Sequence, residues 1–227
     1  MTPGPVVEKS SMKNYVLDAC DLLYDGIASK PENGVWTNLV EGGPNINYGS
    51  SFTVGAKSLD LTCTSASSTA QRAQVMTTFP SNYTVEYTFR AHNHTTGVAG
   101  LVILNSNASI LYMHFTQDDF INLSGYIYGV GQGYDVDYVD GELYHVAFTY
   151  KPSQFLIYVN GVHVKTINSS MSYGSVTNMT VGPYRYNSNS ISPGGTQHSY
   201  YAVRRHKRVL TPEEIAQNAA EDLSRYA

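Results

Sequence analysis

The sequence predicts an all-β fold: a two-sheet antiparallel jelly-roll sandwich with a short C-terminal α-helix. First, apolar and polar residues alternate along most of the chain, which is the two-residue period of β-strands. Second, turn residues recur about every eight to fifteen residues, as they do in sandwiches and barrels. Third, a helical pattern occurs only near the C-terminus. We therefore expect about ten to twelve short strands.

The composition supports one domain with polar but weakly charged surfaces. The 227 residues suffice for one large sandwich, and no linker divides them. Only 14% of the residues are charged, whereas the chain holds 19 Tyr and 19 Gly. A net charge of -4 argues against a nucleic-acid partner, which requires clustered Lys and Arg. No apolar run approaches the roughly 18 residues of a membrane-spanning helix, so we expect no membrane insertion.

The N-terminal segment differs from the rest of the chain. Residues 1–13 contain two prolines and no periodicity, so we expect a flexible arm followed by a domain over residues 14–227. This segment has no hydrophobic signal core, which leaves two possibilities: synthesis without secretion, or a signal that was removed. Residues 15–24 are predicted to form the first strand, followed by a turn at Asp25-Gly26.

Trp36 and the two cysteines each leave alternatives open. Trp36 is the only tryptophan, and its position between polar loops indicates a core plug or, alternatively, a ligand platform. Cys20 and Cys63 are too few for a disulfide framework. They are either buried thiols or a single bridge.

The body of the chain contains one strand whose two faces are easily separated. In residues 83–90 the apolar positions, from Tyr83 to Phe89, are predicted to face the core. Thr84, Glu86, Thr88 and Arg90 are predicted to face outward. Further strands are predicted at residues 58–63, 98–104, 110–115, 121–128, 179–182 and 200–205.

Residues 143–167 predict a three-stranded antiparallel meander. Alternation is clear in each run, and Asn160-Gly161 between the last two runs is the strongest short hairpin signal, because both residues tolerate positive φ. Residues 151–154 form the preceding turn. Residues 144–147 and 156–161 resemble the W-H-H-V-A … L-Y-V-D-G core of laminin-G-like, or concanavalin A-like, jelly-roll domains. In that motif His145 is expected to be structural.

The C-terminal segment predicts a helix over residues 212–224. Thr211 is a suitable N-cap, Pro212 suits the first helical position, and Glu214 completes a capping box. Apolar residues recur at four-residue spacing and predict one stripe that lies on the sandwich. The members of this stripe are Ile215, Ala219 and Leu223.

Both ends of the chain extend the resemblance. Residues 22–27 and 36–39 resemble the L-x-Y-D-G-I … W-x-D-L-S-G opening of laminin-G-like domains in phage structural proteins. Residues 201–205 and 208–215 resemble the ending of such domains in phage and bacterial surface proteins. The resemblance spans residues 15–225 and implies the fold far more strongly than the function.

Enzymatic activity is not expected. Glycosidases need two carboxylates about 5 to 10 Å apart. Among the predicted strands Glu86 is an isolated acid, and Asp135 and Asp137, although two residues apart, lie in what the sequence predicts to be a glycine-rich loop. Such a loop rarely supplies the dry pocket that raises a catalytic pKa.

The same loop acids are candidate calcium ligands. Oxygen ligands crowded on one loop suit Ca²⁺, although Val139 stands where an EF-hand needs an oxygen ligand. Solvated loop acids are the alternative. The candidate metal ligands are Asp135, Asp137 and Asp140.

Aromatic residues near strand ends are candidate ligand contacts. Tyrosine rings stack on sugar faces, and neighbouring polar groups can bond sugar hydroxyls. The alternative is that tyrosine fills half-buried sheet positions. The candidates are Tyr126, Tyr128, Tyr134, Tyr184, Arg185 and Tyr186.

Two functions remain open. The first is a non-enzymatic structural or decoration protein on the surface of a bacteriophage virion, made in the host cytoplasm. Its partners would be other virion proteins, a second copy, or cell-surface or mucosal glycans. The second is a lectin-like carbohydrate-binding module, with or without calcium dependence, of a bacterial surface or secreted protein.

Overall fold

A computed structural model describes residues 12–62, 73–92, 100–106, 109–115, 120–127, 130–137, 139–168, 178–181 and 197–227. Within residues 100–133 only the backbone is described. These residues form sixteen strands and one α-helix, α1, at Pro212–Arg225. The strands are β1 Cys20–Asp25, β2 Val35–Trp36, β3 Ile46–Tyr48, β4 Phe52–Val54, β5 Leu59–Thr62, β6 Ala73–Met76, β7 Tyr83–His92, β8 Gly100–Ser106, β9 Ser109–Phe115, β10 Phe120–Ile127, β11 Val130–Asp137, β12 Leu143–Lys151, β13 Gln154–Val159, β14 Val162–Asn168, β15 Asn178–Val181 and β16 Gln197–His206.

The strands form two antiparallel sheets. The first has the order β14-β13-β12-β7-β16-β5-β4, and β1 pairs with the second half of β16. The second has the order β11-β10-β9-β8-β15-β6-β3-β2. The all-β sandwich expected from the sequence is therefore confirmed. The number of strands in the described residues exceeds the expected ten to twelve, because several two- to four-residue strands carry too little alternation to be recognised.

The main core lies between the sheets and is rich in aromatic side chains. The expected inner face of β7 is confirmed, because Tyr83, Val85, Tyr87 and Phe89 are all buried there. Trp36 is 0% exposed, and its ring centroid lies 5.9 Å from that of Tyr24. It is a core plug, as the first of its two alternatives predicted.

The meander of β12, β13 and β14 is confirmed. Asn160 and Gly161 have φ values of 49° and 81°, as a two-residue hairpin turn with two positive φ angles requires. Ser153, in the turn between β12 and β13, also has a positive φ of 68°. The turn residues thus adopt the conformation that their chemistry favours.

The first strand begins later than predicted. β1 starts at Cys20, and the preceding residues form a turn in which the Cys20 amide donates to the Leu17 carbonyl at 3.1 Å. Ala19 has a φ of 55°, which breaks an extended strand. Met12 is buried against Tyr15 and Leu23, so the docked chain already includes Met12 from the predicted arm.

Helix α1 confirms the predicted capping box but presents a broader buried face. The Thr211 side chain accepts from the Glu214 amide, and the Glu214 carboxylate accepts from the Thr211 amide at 2.8 Å. Ile215 and Ala219 are buried as predicted, whereas Leu223 is only half-buried. The polar residues Asn218 and Asp222 are buried in its place.

The predicted outer face of β7 is not outside. Thr84, Glu86 and Thr88 are buried, and only Arg90 is partly exposed. The alternation of β7 is real, but α1 and residues 12–19, the described N-terminal segment, cover this face of the sheet. A two-residue period separates two faces and does not reveal what covers the polar one.

The structure describes one of the two cysteines. Cys20 is a free thiol, so the single bridge is not formed; its Sγ donates to the Leu22 carbonyl oxygen at 3.3 Å. Burial raises the pKa of this thiol to about 12. Cys63 lies outside the described residues.

In the described part of the chain, no helix is long and apolar enough to cross a membrane.

Candidate functional site

The acids of the predicted glycine-rich loop lie largely in an edge strand. Among the described strands, β11 is the edge strand of the second sheet and pairs with β10, so Asp135 and Asp137 belong to a strand and the loop prediction is wrong. Glycine and aspartate disfavour strands by propensity, but the ladder with β10 overrides that preference. Val136 packs against the core, and its neighbours Asp135 and Asp137 are exposed on the opposite face.

The chain then turns from β11 into β12 at a corner fixed by buried side chains. The Tyr144 hydroxyl accepts from the Val139 amide at 3.0 Å and donates to the Asp137 carbonyl at 3.3 Å. The Arg90 guanidinium donates to the Gly141 carbonyl at 2.8 Å. Gly141 has a φ of 74°, which favours glycine. These contacts hold the corner in one conformation.

The corner presents both aromatic and acidic groups to solvent. Tyr134 is 36% exposed and Val139 is 55% exposed. Asp135, Asp137 and Asp140 are exposed as well. We name residues 134–137 and 139–141 the β11 corner. An exposed ring at a sheet edge can stack on an apolar sugar face, and exposed carboxylates of the same strand can accept hydrogen bonds from hydroxyl groups.

The structure brings together only part of the predicted site. Tyr134 and the three predicted metal ligands lie within the β11 corner. Tyr126 lies in β10, in register with Gly131 of β11, and its side chain is outside the described part. Tyr128, Tyr184, Arg185 and Tyr186 also lie outside the described residues. Their roles therefore stay predictions.

The calcium prediction gains no geometric support from the corner. Among the residues that the structure describes, no three His, Cys, Asp or Glu side chains converge as metal ligands would. Asp135 and Asp137 lie two residues apart on one face of an extended strand. Ca²⁺, in contrast, takes six to eight oxygen ligands, which a loop wrapped around the ion supplies. The calcium site stays a prediction.

A second polar cluster, which the sequence did not reveal, lies beneath α1. Glu86 of β7 and Asp222 of α1 are both fully buried, and Arg204 of β16 lies between them. The Arg204 Nε donates to Glu86 Oε2 at 3.1 Å, and its Nη1 donates to Asp222 Oδ1 at 3.0 Å. Arg204 Nη2 also contacts Asp222 Oδ2. The guanidinium thus joins the sheet to the helix.

Glu86 is surrounded by further donors. Asn218 Nδ2 donates to its Oε2 at 2.9 Å, and His206 Nε2 lies 3.1 Å from the same oxygen. His145 Nε2 lies 3.3 Å from Oε1, although neither His145 nitrogen has a well-aligned hydrogen bond. Burial alone would raise the pKa of Glu86, but the Arg204 charge and the histidine contacts outweigh it and hold this pKa well below its usual value.

The Asp222 carboxylate is equally well satisfied. The Tyr15 hydroxyl donates to its Oδ1 at 2.7 Å, and the Thr88 hydroxyl donates to its Oδ2 at 2.5 Å. Burial and the Asp222 charge raise the pKa of Tyr15. His145 is completely buried here, which agrees with its expected structural role. We name Glu86, Arg204, His206 and Asp222 the helix-docking cluster.

One sequence signal could have identified this cluster. Asn218 and Asp222 are four residues apart and flank the apolar stripe of α1, so both lie on the helix face that docks. Buried polar groups require partners, and Arg204 in β16 is the matching charge. This link depends on the position of the helix on the sheet.

Comparisons with known proteins agree with the architecture. A laminin G family model, described as the concanavalin A-like lectin/glucanases superfamily, matches residues 63–216. No curated protein matches the chain in sequence. The match includes the meander and the whole of the resemblance in residues 201–205 and 208–215, whereas the resemblance in residues 22–27 and 36–39 lies outside it.

Solved structures with the same fold include toxins and a sialidase. One is a chain of botulinum neurotoxin type C, a toxin whose cell entry is described as dependent upon interaction with two ganglioside molecules. It has a TM-score of 0.72 and 11% identity, and the match covers 93% of this chain and 53% of that chain. Another is Trypanosoma rangeli sialidase in complex with sialic acid, with a TM-score of 0.69, 14% identity and coverage of 92% and 33%.

A third similar structure is the binding domain of botulinum neurotoxin DC in complex with rat synaptotagmin II, with a TM-score of 0.68, 10% identity and coverage of 90% and 52%. The chain therefore spans about half of these toxin chains and a third of the sialidase chain. At such identities the likeness concerns the fold. With a family model that covers most of its length and the two-sheet architecture described above, the chain belongs to the concanavalin A-like lectin/glucanases superfamily.

Proposed function

We propose that this protein is a non-enzymatic carbohydrate-binding domain that contacts glycans through the β11 corner. The observation that carries the proposal is a corner at a sheet edge that exposes Tyr134 on one face of β11 and Asp135 and Asp137 on the other. A pre-organised aromatic and acidic surface loses little entropy when a sugar binds. Similar structures described with gangliosides and with sialic acid lend support from the fold.

The non-enzymatic part of the proposal is supported by the state of the buried acids. Glu86 and Asp222 are both fully buried, and both accept hydrogen bonds from Arg204 and other partners. A glycosidase needs one carboxyl with a raised pKa that reaches substrate. The pKa of Glu86 is shifted in the opposite direction.

A glycan array tests the binding site. We expect the wild-type protein to bind a subset of glycans and Tyr134→Ala to lose roughly five- to a hundredfold in affinity, if a sugar face stacks on the ring with about the 1–3 kcal/mol that a nucleic-acid base gains there. Val162→Ala is the matched control, since Val162 is exposed on β14 at the edge of the other sheet. Equal binding by Tyr134→Ala and wild type would contradict the proposed site.

The same array with and without EDTA tests calcium. Binding that EDTA abolishes, and that Asp135→Asn with Asp137→Asn weakens in parallel, would support a calcium-dependent site. Binding that is insensitive to EDTA would leave the carboxylates as direct hydrogen-bond acceptors for the sugar.

We infer further that the domain decorates a bacteriophage particle, with a bacterial surface or secreted protein as the alternative. The inference is supported by the resemblance of residues 22–27 and 36–39 to laminin-G-like domains of phage structural proteins. Residues 201–205 and 208–215 resemble the ending of such domains in phage and bacterial surface proteins. Its partners would be other virion proteins or a second copy. Mass spectrometry of purified particles is the test: absence of this chain would reject the virion role without affecting carbohydrate binding.

A further inference from the structure

His206 occupies the junction between the first sheet, the N-terminal segment and α1. It ends β16, and its side chain is completely buried. Its Nδ1 lies 3.2 Å from the Asp18 carbonyl oxygen, and its Nε2 lies 3.1 Å from Glu86 Oε2. Each ring nitrogen therefore has one close partner, and both distances are those of hydrogen bonds.

Both partners of His206 can only accept. A backbone carbonyl oxygen has no proton, and an ionised carboxylate also only accepts. The pKa of Glu86 is held well below its usual value, so this carboxyl is ionised at neutral pH. A neutral imidazole carries one N–H, so one of the two contacts would then place two lone pairs against each other. An imidazolium donates at both nitrogens and satisfies both contacts.

The charges of the helix-docking cluster lead to the same assignment. Glu86 and Asp222 contribute two negative charges, and Arg204 contributes one positive charge, with all three side chains buried. An uncompensated buried charge is strongly unfavourable. One additional proton makes the cluster neutral. His145 is a poorer site for it, because its Nδ1 has no hydrogen-bond partner and its Nε2 is misaligned.

We propose that His206 is a buried imidazolium that fastens the N-terminal segment and α1 to the first sheet, so that loss of its second proton loosens both: a pH-sensitive latch. The Nδ1 proton holds the N-terminal segment through Asp18. The Nε2 proton completes the set of donors on Glu86, which also binds Asn218 of α1. This inference is independent of carbohydrate binding.

Other titratable groups face His206 from every element around it. The acidic groups favour the imidazolium, and the arginines oppose it. Without a proton on His206 the helix-docking cluster carries one excess negative charge, so the sum of its charges favours the imidazolium. The facing groups are Asp18 before β1, Cys20 on β1, Glu86 on β7, His145 on β12, Arg204 on β16, Arg208 after it, and Glu214 and Asp222 on α1.

Nitrogen NMR of the wild-type protein tests the protonation state. In ¹⁵N-labelled protein at about pH 6, where histidine titrates, we expect the His206 ring to show two protonated nitrogens. The His206→Gln variant identifies the resonances by their disappearance. A single N–H on His206 at this pH would overturn the proposal, and this readout needs no variant to be stable if the resonances are assigned through the backbone.

Hydrogen exchange tests the latch. Between about pH 6 and pH 9, after correction for intrinsic rates, we expect protection at the Val16 amide and along α1 to fall roughly ten- to a hundredfold, as for one lost hydrogen bond to a charged group. The Val16 amide is a direct reporter, because it donates to Asn218 Oδ1 at 2.8 Å. Amides at the centre of β12, such as that of Ala147, serve as the control.

The His206→Gln variant completes the test. Glutamine can still donate to Glu86 but has no proton to lose in this range. We expect its α1 to be less protected at about pH 6 and to show no further loss at about pH 9. The same pH step in this variant as in wild type, or no step in wild type, would reject the latch.

Discussion

At the scale of single residues, the polar groups beneath α1 join the helix to the first sheet. Arg204 is fully buried and contacts both Glu86 and Asp222. Arg208, four residues further along, also contacts two acids. Its side chain is 28% exposed, and the side chains of both acids are exposed in part. The two arginines therefore provide a matched comparison of buried and surface ion pairs.

Arg204→Met is expected to destabilise the protein by about 3–5 kcal/mol, because it leaves two carboxylates buried without their cation. Arg208→Met is expected to cost less than about 1 kcal/mol, as is usual for surface pairs. Urea denaturation of both variants measures the difference. Similar small losses in the two variants would mean that the cluster contributes little to stability.

The lowered pKa of Glu86 predicts a specific loss of stability in acid. A carboxyl whose folded pKa is depressed contributes stability above its usual pKa of 4.5, and this contribution is lost as the pH falls through the lower folded value. We expect the gap in unfolding free energy between wild type and Glu86→Gln to be full at neutral pH and to shrink below about pH 4.5. A gap that does not change with pH would contradict the assignment.

At the scale of elements, α1 packs on the meander through its turn as well as through its charges. Gly161 in the β13–β14 turn approaches the helix closely: a Cβ placed there would lie 3.0 Å from Ala216 Cα and 3.2 Å from Ala219 Cβ. Gly161 thus meets two requirements: its positive φ suits the hairpin turn, and its lack of a Cβ leaves room for α1. Gly42 has a similar φ of 73° but nothing within 4 Å of such a Cβ.

Gly161→Ala is expected to cost clearly more stability than Gly42→Ala. Both pay about 1–2 kcal/mol for a left-handed conformation. Only Gly161→Ala adds the clash with α1, which we expect to contribute a further 1–3 kcal/mol or so, as overpacking does. Thermal and urea unfolding of the pair give the difference. Equal losses would show that the helix moves aside at no cost.

At the scale of the whole molecule, both chain ends close onto the same sheet. β1 pairs with β16, the N-terminal segment contacts α1, and α1 contacts β7 through Asp222 and Asn218. The two sheets share one aromatic core. In the described residues, the two sheets therefore form a single core.

We therefore expect cooperative unfolding. Trp36 is the only tryptophan and reports on the core, whereas far-UV circular dichroism reports on both sheets. The two signals should give coincident urea transitions, as two-state domains do. Separate midpoints would indicate that residues 14–227 do not unfold as one domain.

Some features of the candidate site were predictable and others were not. The sequence identified Tyr134 and the acids Asp135, Asp137 and Asp140 as candidate contacts, because aromatic and acidic residues occur close together there. Their placement in an edge strand was not predictable, because propensity opposes a strand at Gly131 and Gly133 and only pairing with β10 produces one. The rigid corner depends on Tyr144 and Arg90, which belong to other strands.

The sequence by itself determined the sheet period, the Asn160-Gly161 turn, the inner face of β7 and the capping box at Thr211, because each depends on residues that are close in the chain. Only the tertiary structure decided that Glu86 is buried. Its partner Asn218 lies 132 residues away, and alternation marks a polar face without revealing which segment covers it. The helix-docking cluster exists because two distant elements bury their polar faces against each other, and buried charges must then find opposite charges.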